Sequence, residues 1–203
     1  MKNTTITKNL KLIHGAFILL IAIFFIYENR RFYLLTPEAL GKYIDVKWVI
    51  VSHIFFGSLA LLSGPFLLWE YFRNRFLKTH RLLGKVYVIA ILISGLGALY
   101  LTFTTGLEVN LPYSFALQIQ ILVWLISTGF AYWAVRKRKM VQHKEWMARS
   151  YIVTLAFLAQ AMLFKMPFII ALGFAEFFPT VVWLSWSVPL FLYQFDLSRQ
   201  QKK

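Results

Sequence analysis

The chain lacks cysteine altogether and has few acidic residues. Its 203 residues include 8 Asp and Glu against 22 Lys and Arg, with 4 His. Because there is no Cys, the sequence excludes disulfides, thiolate metal sites, iron–sulfur clusters and haem attached through Cys. Phosphate-loop, nucleophile-elbow and HExxH patterns are also missing, so the enzyme classes that use them receive no support. Histidine is the one strong nitrogen ligand that remains for a metal.

Long apolar runs dominate the rest of the sequence. Hydrophobic residues make up 59% of the chain and aromatic residues 18%, with a mean hydropathy of +0.63. A membrane-spanning helix needs about 20 mostly apolar residues. The sequence therefore predicts an all-α polytopic membrane bundle, a single integral membrane domain over residues 1–203. Its six predicted transmembrane helices are 12–27, 48–71, 82–105, 113–135, 146–173 and 179–195. The Gly64-Pro65 pair predicts a kink in the second helix, and the last two should form a tight hairpin around Glu176.

The net charge of +14 is concentrated in short connectors between the apolar runs. The N-terminal head, the second and fourth connectors and the C-terminal tail are rich in Lys and Arg, whereas the third and fifth connectors have none. This asymmetry predicts that both termini lie in the cytoplasm, in a multi-pass protein of a bacterial inner membrane. It also favours anionic lipid at the cytoplasmic face over nucleic acid as the partner.

Two apolar segments open with similar polar stretches, RNRFLKTHRLLGKVY at 73–87 and RKRKMVQHKEWMARSY at 136–151. Each has a histidine, a basic neighbour, a second basic residue and then a tyrosine. The start of a helix keeps histidine neutral, which is the form that binds a metal, and it also attracts anions. We therefore expect His80 and His143 to bind a haem b or another metal centre. The flanking residues predicted for this site are Arg81, Lys85, Arg149, Tyr87 and Tyr151, with the cations as anchors for carboxylates. The alternative is that both histidines are simply polar residues in basic connectors.

The other two histidines support further hypotheses. His53 lies inside an apolar run, where a polar ring usually faces the bundle interior. It predicts an outer site with Gln118 or Gln120. Glu176 or Lys165 could also pair with His53, although Lys165 more simply reaches the membrane surface. A plain hydrogen bond between helices is the alternative. His14 could join His80 and His143 in a zinc or iron site of a metal-dependent membrane enzyme, or simply face headgroups.

A third hypothesis is a non-enzymatic transporter or assembly factor in which His53 relays protons or stabilises packing. These hypotheses leave open whether the protein is an enzyme. They also leave its oligomeric state open, since small-residue faces permit association without specifying it.

The histidine motifs carry a resemblance to a known family. His80-Arg81-x-x-Gly84-Lys85-x-Tyr87 and His143-x-x-Trp146-Met147-x-Arg149-Ser150-Tyr151 resemble the bacterial predicted membrane proteins grouped as a domain of unknown function. That resemblance implies a membrane bundle but no activity. The arrangement is also similar, in architecture, to the cytochrome b561 group, whose histidines on alternate helices hold two haems. His80 and His143 would match one such pair, whereas His53 finds no histidine on the fourth helix. The likeness implies one haem on the cytoplasmic side and leaves the outer site of His53 for a quinone or another small substrate.

Overall fold

The structure is a computed structural model that describes residues 2–171 and 173–200, with the side chains of residues 15–169, 171, 173 and 175–200. The described residues form nine α-helices and no β-strand, which confirms the all-α prediction. The helices are α1 (Lys2–Glu28), α2 (Pro37–Leu40), α3 (Lys47–Leu68), α4 (Glu70–Arg75), α5 (Leu77–Leu101), α6 (Leu111–Arg136), α7 (Met140–Leu163), α8 (Pro167–Ala171) and α9 (Phe174–Gln200).

Within the described residues, five helical stretches are long and apolar enough to cross a membrane. They are Pro37–Leu68, Leu77–Gly106, Leu111–Arg136, Met140–Leu163 and Ala175–Gln200. A helix suits this environment because it satisfies every backbone N–H and C=O without water. The prediction of a multi-pass membrane bundle is therefore confirmed. The first long helix, α1, is not one of these five, and its crossing stays a prediction.

Several helix ends differ from those predicted. The second predicted helix ends at Leu68, since Trp69 has an extended backbone (φ −78°, ψ 113°), and Pro65 lies inside the helix. The fifth ends at Leu163, and the expected tight hairpin is a longer connector that contains α8. Pro167 explains this difference, because a proline cannot donate a backbone hydrogen bond and disfavours a helical residue before it.

The helices pack through small residues and one central cluster. The most extensive helix contact joins α3 to α5, where a Cβ added to Gly57 would lie 3.2 Å from the hydroxyl oxygen of Ser94. The central cluster draws buried residues from α3, α5, α6 and α7, with Tyr87 and Trp124 among its largest side chains. Here the starts of α5 and α7 and the end of α6 are called the histidine end of the bundle. The other end of these helices is the opposite end.

Helix α1 lies at the edge of the bundle. Among the described side chains, its contacts with other helices include a small cluster of Ala22, Leu61 and Leu158 and an ion pair of 2.9 Å between Lys165 Nζ and Glu28 Oε2. Since Glu28 ends α1 and Lys165 follows α7, the two helices run parallel and both end at the opposite end.

Candidate functional site

His80 and His143 occupy equivalent places in their helices. Each is the fourth residue, in α5 and α7 respectively, and its backbone N–H makes the first helical hydrogen bond, to Phe76 and to Lys139. The structure thus places both in the first turns of helices, which begin a few residues before the predicted starts at 82 and 146. Both are half-buried, and they lie near each other at the histidine end of the bundle.

The ring of His143 is held by a backbone carbonyl. Its Nδ1 lies 2.9 Å from the carbonyl oxygen of Ala131 near the end of α6. A carbonyl oxygen only accepts, so Nδ1 carries the proton and donates it, and the neutral ring keeps its lone pair on Nε2. Metal-binding histidines usually have this arrangement, in which the second ring nitrogen donates to a carbonyl or carboxylate.

His80 is different because one ring nitrogen has no partner. Its Nδ1 is buried, and no hydrogen-bond partner for it exists among the described residues. A buried polar atom without a partner is costly and is rare in native proteins. Together, His80 and His143 provide a buried nitrogen without a partner and an oriented ring with a free lone pair. Two neutral imidazoles of this kind are a donor set that suits haem b or a divalent metal ion.

The predicted anion anchors face other directions. Arg81 and Lys85 are both exposed. They are four residues apart and share one face of the helix, which is turned away from the face of His80. Arg149 is turned toward α9: its Nη2 donates to Gln194 Oε1 at 2.7 Å, and its Nη1 lies 3.7 Å from Glu145 Oε2. The Arg149 guanidinium also lies over the rings of Trp146 and Tyr193.

The two tyrosines of the motifs are buried in the helix packing. Tyr87 lies seven residues after His80, about 10 Å farther along α5. Its hydroxyl is 2.9 Å from Ser150 Oγ and 3.3 Å from Thr154 Oγ1, both on α7. The Tyr151 hydroxyl donates to the carbonyl oxygen of Leu61 on α3 at 3.1 Å.

Tyr87 belongs to a buried hydrogen-bond network that joins α5, α6 and α7. Trp124 Nε1 donates to Thr154 Oγ1 at 2.8 Å, and the Thr128 and Ser150 hydroxyls are 2.7 Å apart. Because Thr154 and Thr128 donate to the backbone carbonyls of Ser150 and Trp124, their own hydroxyl protons are already used. Ser150 then donates to Thr128, and Tyr87 donates to Ser150 or Thr154. This network lies directly below the two histidines.

His53 lines a separate cavity toward the opposite end. The cavity has a volume of about 140 Å³ and lies among α3, α5, α6 and the π-helix Thr102–Gly106, with Tyr43, Tyr113 and Thr105 among its lining residues. His53 Nδ1 is 3.0 Å from the Ser94 carbonyl oxygen and 2.9 Å from Ser94 Oγ. The carbonyl again requires the proton on Nδ1, so Nε2 of the neutral ring keeps a lone pair for the cavity.

The partners expected for His53 bind elsewhere. Gln118 donates to Ser114 Oγ at 3.0 Å, and Gln120 accepts from Gln160 at 2.8 Å. Lys165 pairs with Glu28, and Glu176 is exposed in the first turn of α9. His53 binds Ser94 instead because the small residues between α3 and α5 bring these two helices close together.

His14 lies in α1, but its side chain is outside the described residues. The described side chains contain no group of three or more His, Asp or Glu residues placed to hold a metal ion.

Comparison with known proteins identifies the family. The chain matches one family, described as predicted membrane protein (DUF2306), over residues 50–196, which is more than half of its length. The chain belongs to this family. No curated protein and no solved structure matches it significantly. This DUF2306 region includes His53, His80 and His143 and begins after α1. The family expected from the histidine motifs is therefore confirmed, while the architectural likeness to the cytochrome b561 group stays a prediction.

Sequence reasoning missed Ser94 and Thr154, two of the residues that organise these sites. Both could have been found from helical spacing. Ser94 follows Tyr87 by seven residues and His80 by fourteen, and Thr154 follows His143 by eleven, so each lies on the face of its helix that carries the histidine. In an otherwise apolar face, these hydroxyls are the polar groups that need a partner.

Proposed function

We propose that this membrane protein binds a haem b, or another metal centre, through His80 and His143 and acts in redox chemistry at the membrane. One observation carries the proposal. At the same end of the bundle, His143 donates Nδ1–H to the Ala131 carbonyl and keeps Nε2 free, while His80 has a buried nitrogen without a hydrogen-bond partner. A ligated haem b would supply reversible one-electron transfer.

The residues around this site have distinct roles in the proposal. The Ala131 carbonyl orients the His143 ring and makes Nε2 more basic. The buried network of Tyr87, Ser150 and Thr154 fixes the spacing of α5 and α7 about two turns below the histidines. Arg81 and Lys85 are exposed at this end and are available to carboxylates that reach the bundle surface, or to anionic lipid. Arg149, held by Gln194 and Glu145, contributes to the packing of α7 on α9.

The optical spectrum of the detergent-purified protein tests this proposal. We expect a Soret band and sharpened bands after dithionite reduction in the wild-type protein expressed with haem supplied. The double variant His80→Ala, His143→Ala should lose them, whereas His53→Ala, which changes the other site, should keep them. A wild-type protein without these bands would exclude haem.

Zinc or iron bound in a one-to-one ratio would then favour the metal-enzyme alternative, in which His14 supplies the third nitrogen. A His14→Ala variant should reduce that metal content.

A second candidate function concerns the cavity beside His53. Its volume of about 140 Å³ is similar to that of an engineered apolar cavity that holds benzene, of about 150 Å³. A single six-membered ring therefore fits. The free Nε2 of His53 requires a hydrogen-bond donor, and a reduced quinone provides one through its hydroxyl group. This is the quinone site that the sequence suggests, with His53 rather than Gln118 or Gln120 as the polar group.

Binding of a short-chain quinol to the purified protein tests the second candidate. We expect saturable binding to the wild-type protein and a loss of at least tenfold in affinity in His53→Phe, which fills the cavity and removes the acceptor. The matched variant Gln118→Leu should bind nearly as well as wild type, since Gln118 binds Ser114. Equal binding by all three proteins would exclude this site and leave His53 as a proton relay of a transporter or a packing residue.

A further inference from the structure

A groove runs along the surface of the bundle between α1 and the second half of α7. Its volume is about 530 Å³, within the range of about 300–1,000 Å³ that is usual for small-molecule sites. Phe24 and Leu158 lie among its apolar lining residues, and Glu28, Arg31 and Lys165 lie at one end. It does not involve His53, His80 or His143.

Along both walls of the groove, apolar residues come first in the chain and a charged residue follows. On α1, Ile21 and Phe25 precede Glu28, and on α7, Leu158 and Ala161 precede Lys165, at spacings of three or four residues that keep them on one helix face. Because α1 and α7 run parallel, the row of apolar residues on each helix ends at a charged residue, and the two charged residues lie at the same end of the bundle. Each row is about 10 Å long, taking seven residues at 1.5 Å each.

The charged end has an excess of positive charge. Glu28 pairs with Lys165 at 2.9 Å, and among the described side chains no carboxylate lies within 4.0 Å of the Arg31 guanidinium. Arg31 instead lies over the ring of Phe32, with 5.1 Å between the guanidinium carbon and the ring centroid. Arg31 and Lys165 therefore outweigh Glu28 among the lining residues, and the neighbouring Arg30, which also acts on Glu28, adds further positive charge at the mouth of the groove.

We propose that this groove binds one acyl chain of a membrane phospholipid, whose phosphate is held by Arg31 and Lys165. The apolar walls match a hydrocarbon chain, and the excess positive charge at their end matches the negative charge of the phosphate. Arginine and lysine are the common phosphate ligands of proteins. The surrounding face of α1 is apolar and exposed, with Leu20 and Ile23 more than half exposed, so the groove opens toward lipid. The site belongs to the leaflet at the opposite end of the bundle from the histidines.

Native mass spectrometry of the whole protein in detergent tests this site. The probes are a phosphatidylglycerol, the diacylglycerol with the same acyl chains, and inorganic phosphate. We expect one phosphatidylglycerol to remain bound under conditions that remove detergent and any further lipid molecules. Neither the diacylglycerol nor phosphate should replace it. Retention of several lipids without preference would show a general lipid coat and overturn the proposal.

Variants with opposite expected effects sharpen the test. Arg31→Gln should weaken phosphatidylglycerol binding about tenfold, because it removes one charged ligand of the phosphate. Glu28→Gln should tighten binding, because it frees Lys165, and Ala161→Trp should abolish it by filling the groove. Arg75→Gln, an exposed cation far from the groove, is the matched control and should have no effect. Unfolding temperatures in lipid-free detergent show that each variant is folded. Equal affinities in Arg31→Gln, Glu28→Gln and wild type would overturn the proposal even if Ala161→Trp did not fold.

Discussion

At the scale of single residues, Gly64 of α3 lies directly against the ring of Tyr151 of α7. A Cβ at position 64 would overlap the ring of Tyr151, whose hydroxyl also binds the Leu61 carbonyl one turn earlier on α3. The glycine is therefore required by space rather than by backbone conformation. Pro65 follows this glycine inside the same helix.

Gly64→Ala should destabilise the protein by about 1–3 kcal/mol, because the added methyl group forces the Tyr151 ring to move in a packed interior. Thermal unfolding in detergent measures this loss. Gly129→Ala is the matched control, since a Cβ at Gly129 of α6 meets nothing within 4 Å. That variant should be neutral or more stable by up to about 1 kcal/mol, since alanine favours the helix. Equal effects at the two positions would contradict the structure.

Within the buried network, the hydroxyl of Thr154 is the group that contacts both Trp124 and Tyr87. Thr154→Val removes the acceptor of Trp124 Nε1 and one partner of Tyr87 while keeping the shape of the side chain. We expect a cost of about 1–2 kcal/mol, because a buried donor then lacks its acceptor, and hydrogen bonds between membrane helices are worth at most about that much. Chemical or thermal unfolding measures it.

Thr104→Val is the comparison for that variant. Thr104 donates only to carbonyls of its own helix, at 3.2 Å to Tyr100 and 3.4 Å to Leu101, so its loss leaves no donor unpaired. Its cost should stay below about 0.5 kcal/mol. If Thr104→Val proved as costly as Thr154→Val, the network would have no special role.

At the scale of helices, the apolar runs predicted from the sequence correspond to the long helices, while their ends were less predictable. Hydropathy detects the residues that lie in lipid, so it places the middle of a helix well. It does not detect the polar first turns of α5 and α7, which is why the predicted helices begin at 82 and 146, after His80 and His143. The repeated histidine motif nevertheless brought together two residues that the structure places at one end of the bundle. The motif predicts that Arg81, Lys85 and Arg149 lie near the histidines, but it does not give the direction of each side chain. That direction depends on the position of each residue around its helix.

The attachment of α1 to α7 should depend on pH through Glu28. Its hydrogen bond and charge interaction with Lys165 lower the pKa of the Glu28 carboxyl below its usual value of 4.5. A lowered carboxyl pKa stabilises the folded state above the unfolded value, and this contribution is lost as the pH falls through the folded value. The wild-type protein should therefore lose an advantage over Glu28→Gln as the pH drops below about 4.5. Unfolding temperatures of both proteins across this range measure the difference, and parallel curves would contradict it.

At the scale of the whole molecule, the chain's lack of cysteine makes its orientation easy to test. The distribution of Lys and Arg predicts that the histidine end and both termini face the cytoplasm. Single cysteines at Lys78 and Lys137 lie at the histidine end, and one at Glu108 lies at the opposite end. In intact cells, a membrane-impermeant maleimide should label the Glu108→Cys variant and spare Lys78→Cys and Lys137→Cys until the cells are lysed. The reverse pattern would invert the bundle and place the proposed haem site on the outer side.

The ion pair between Glu28 and Lys165 also has a consequence for how the protein is made. Its two residues are 137 positions apart in the chain. At roughly 5–20 residues per second, α1 leaves the ribosome on the order of ten seconds before Lys165 is synthesised. The other residues that α1 contacts are synthesised at different times: Leu61 of α3 early and Leu158 of α7 late. During biogenesis, one apolar face of α1 therefore remains uncovered while α1 contacts α3. The proposed lipid groove gains its second wall only when α7 enters the membrane.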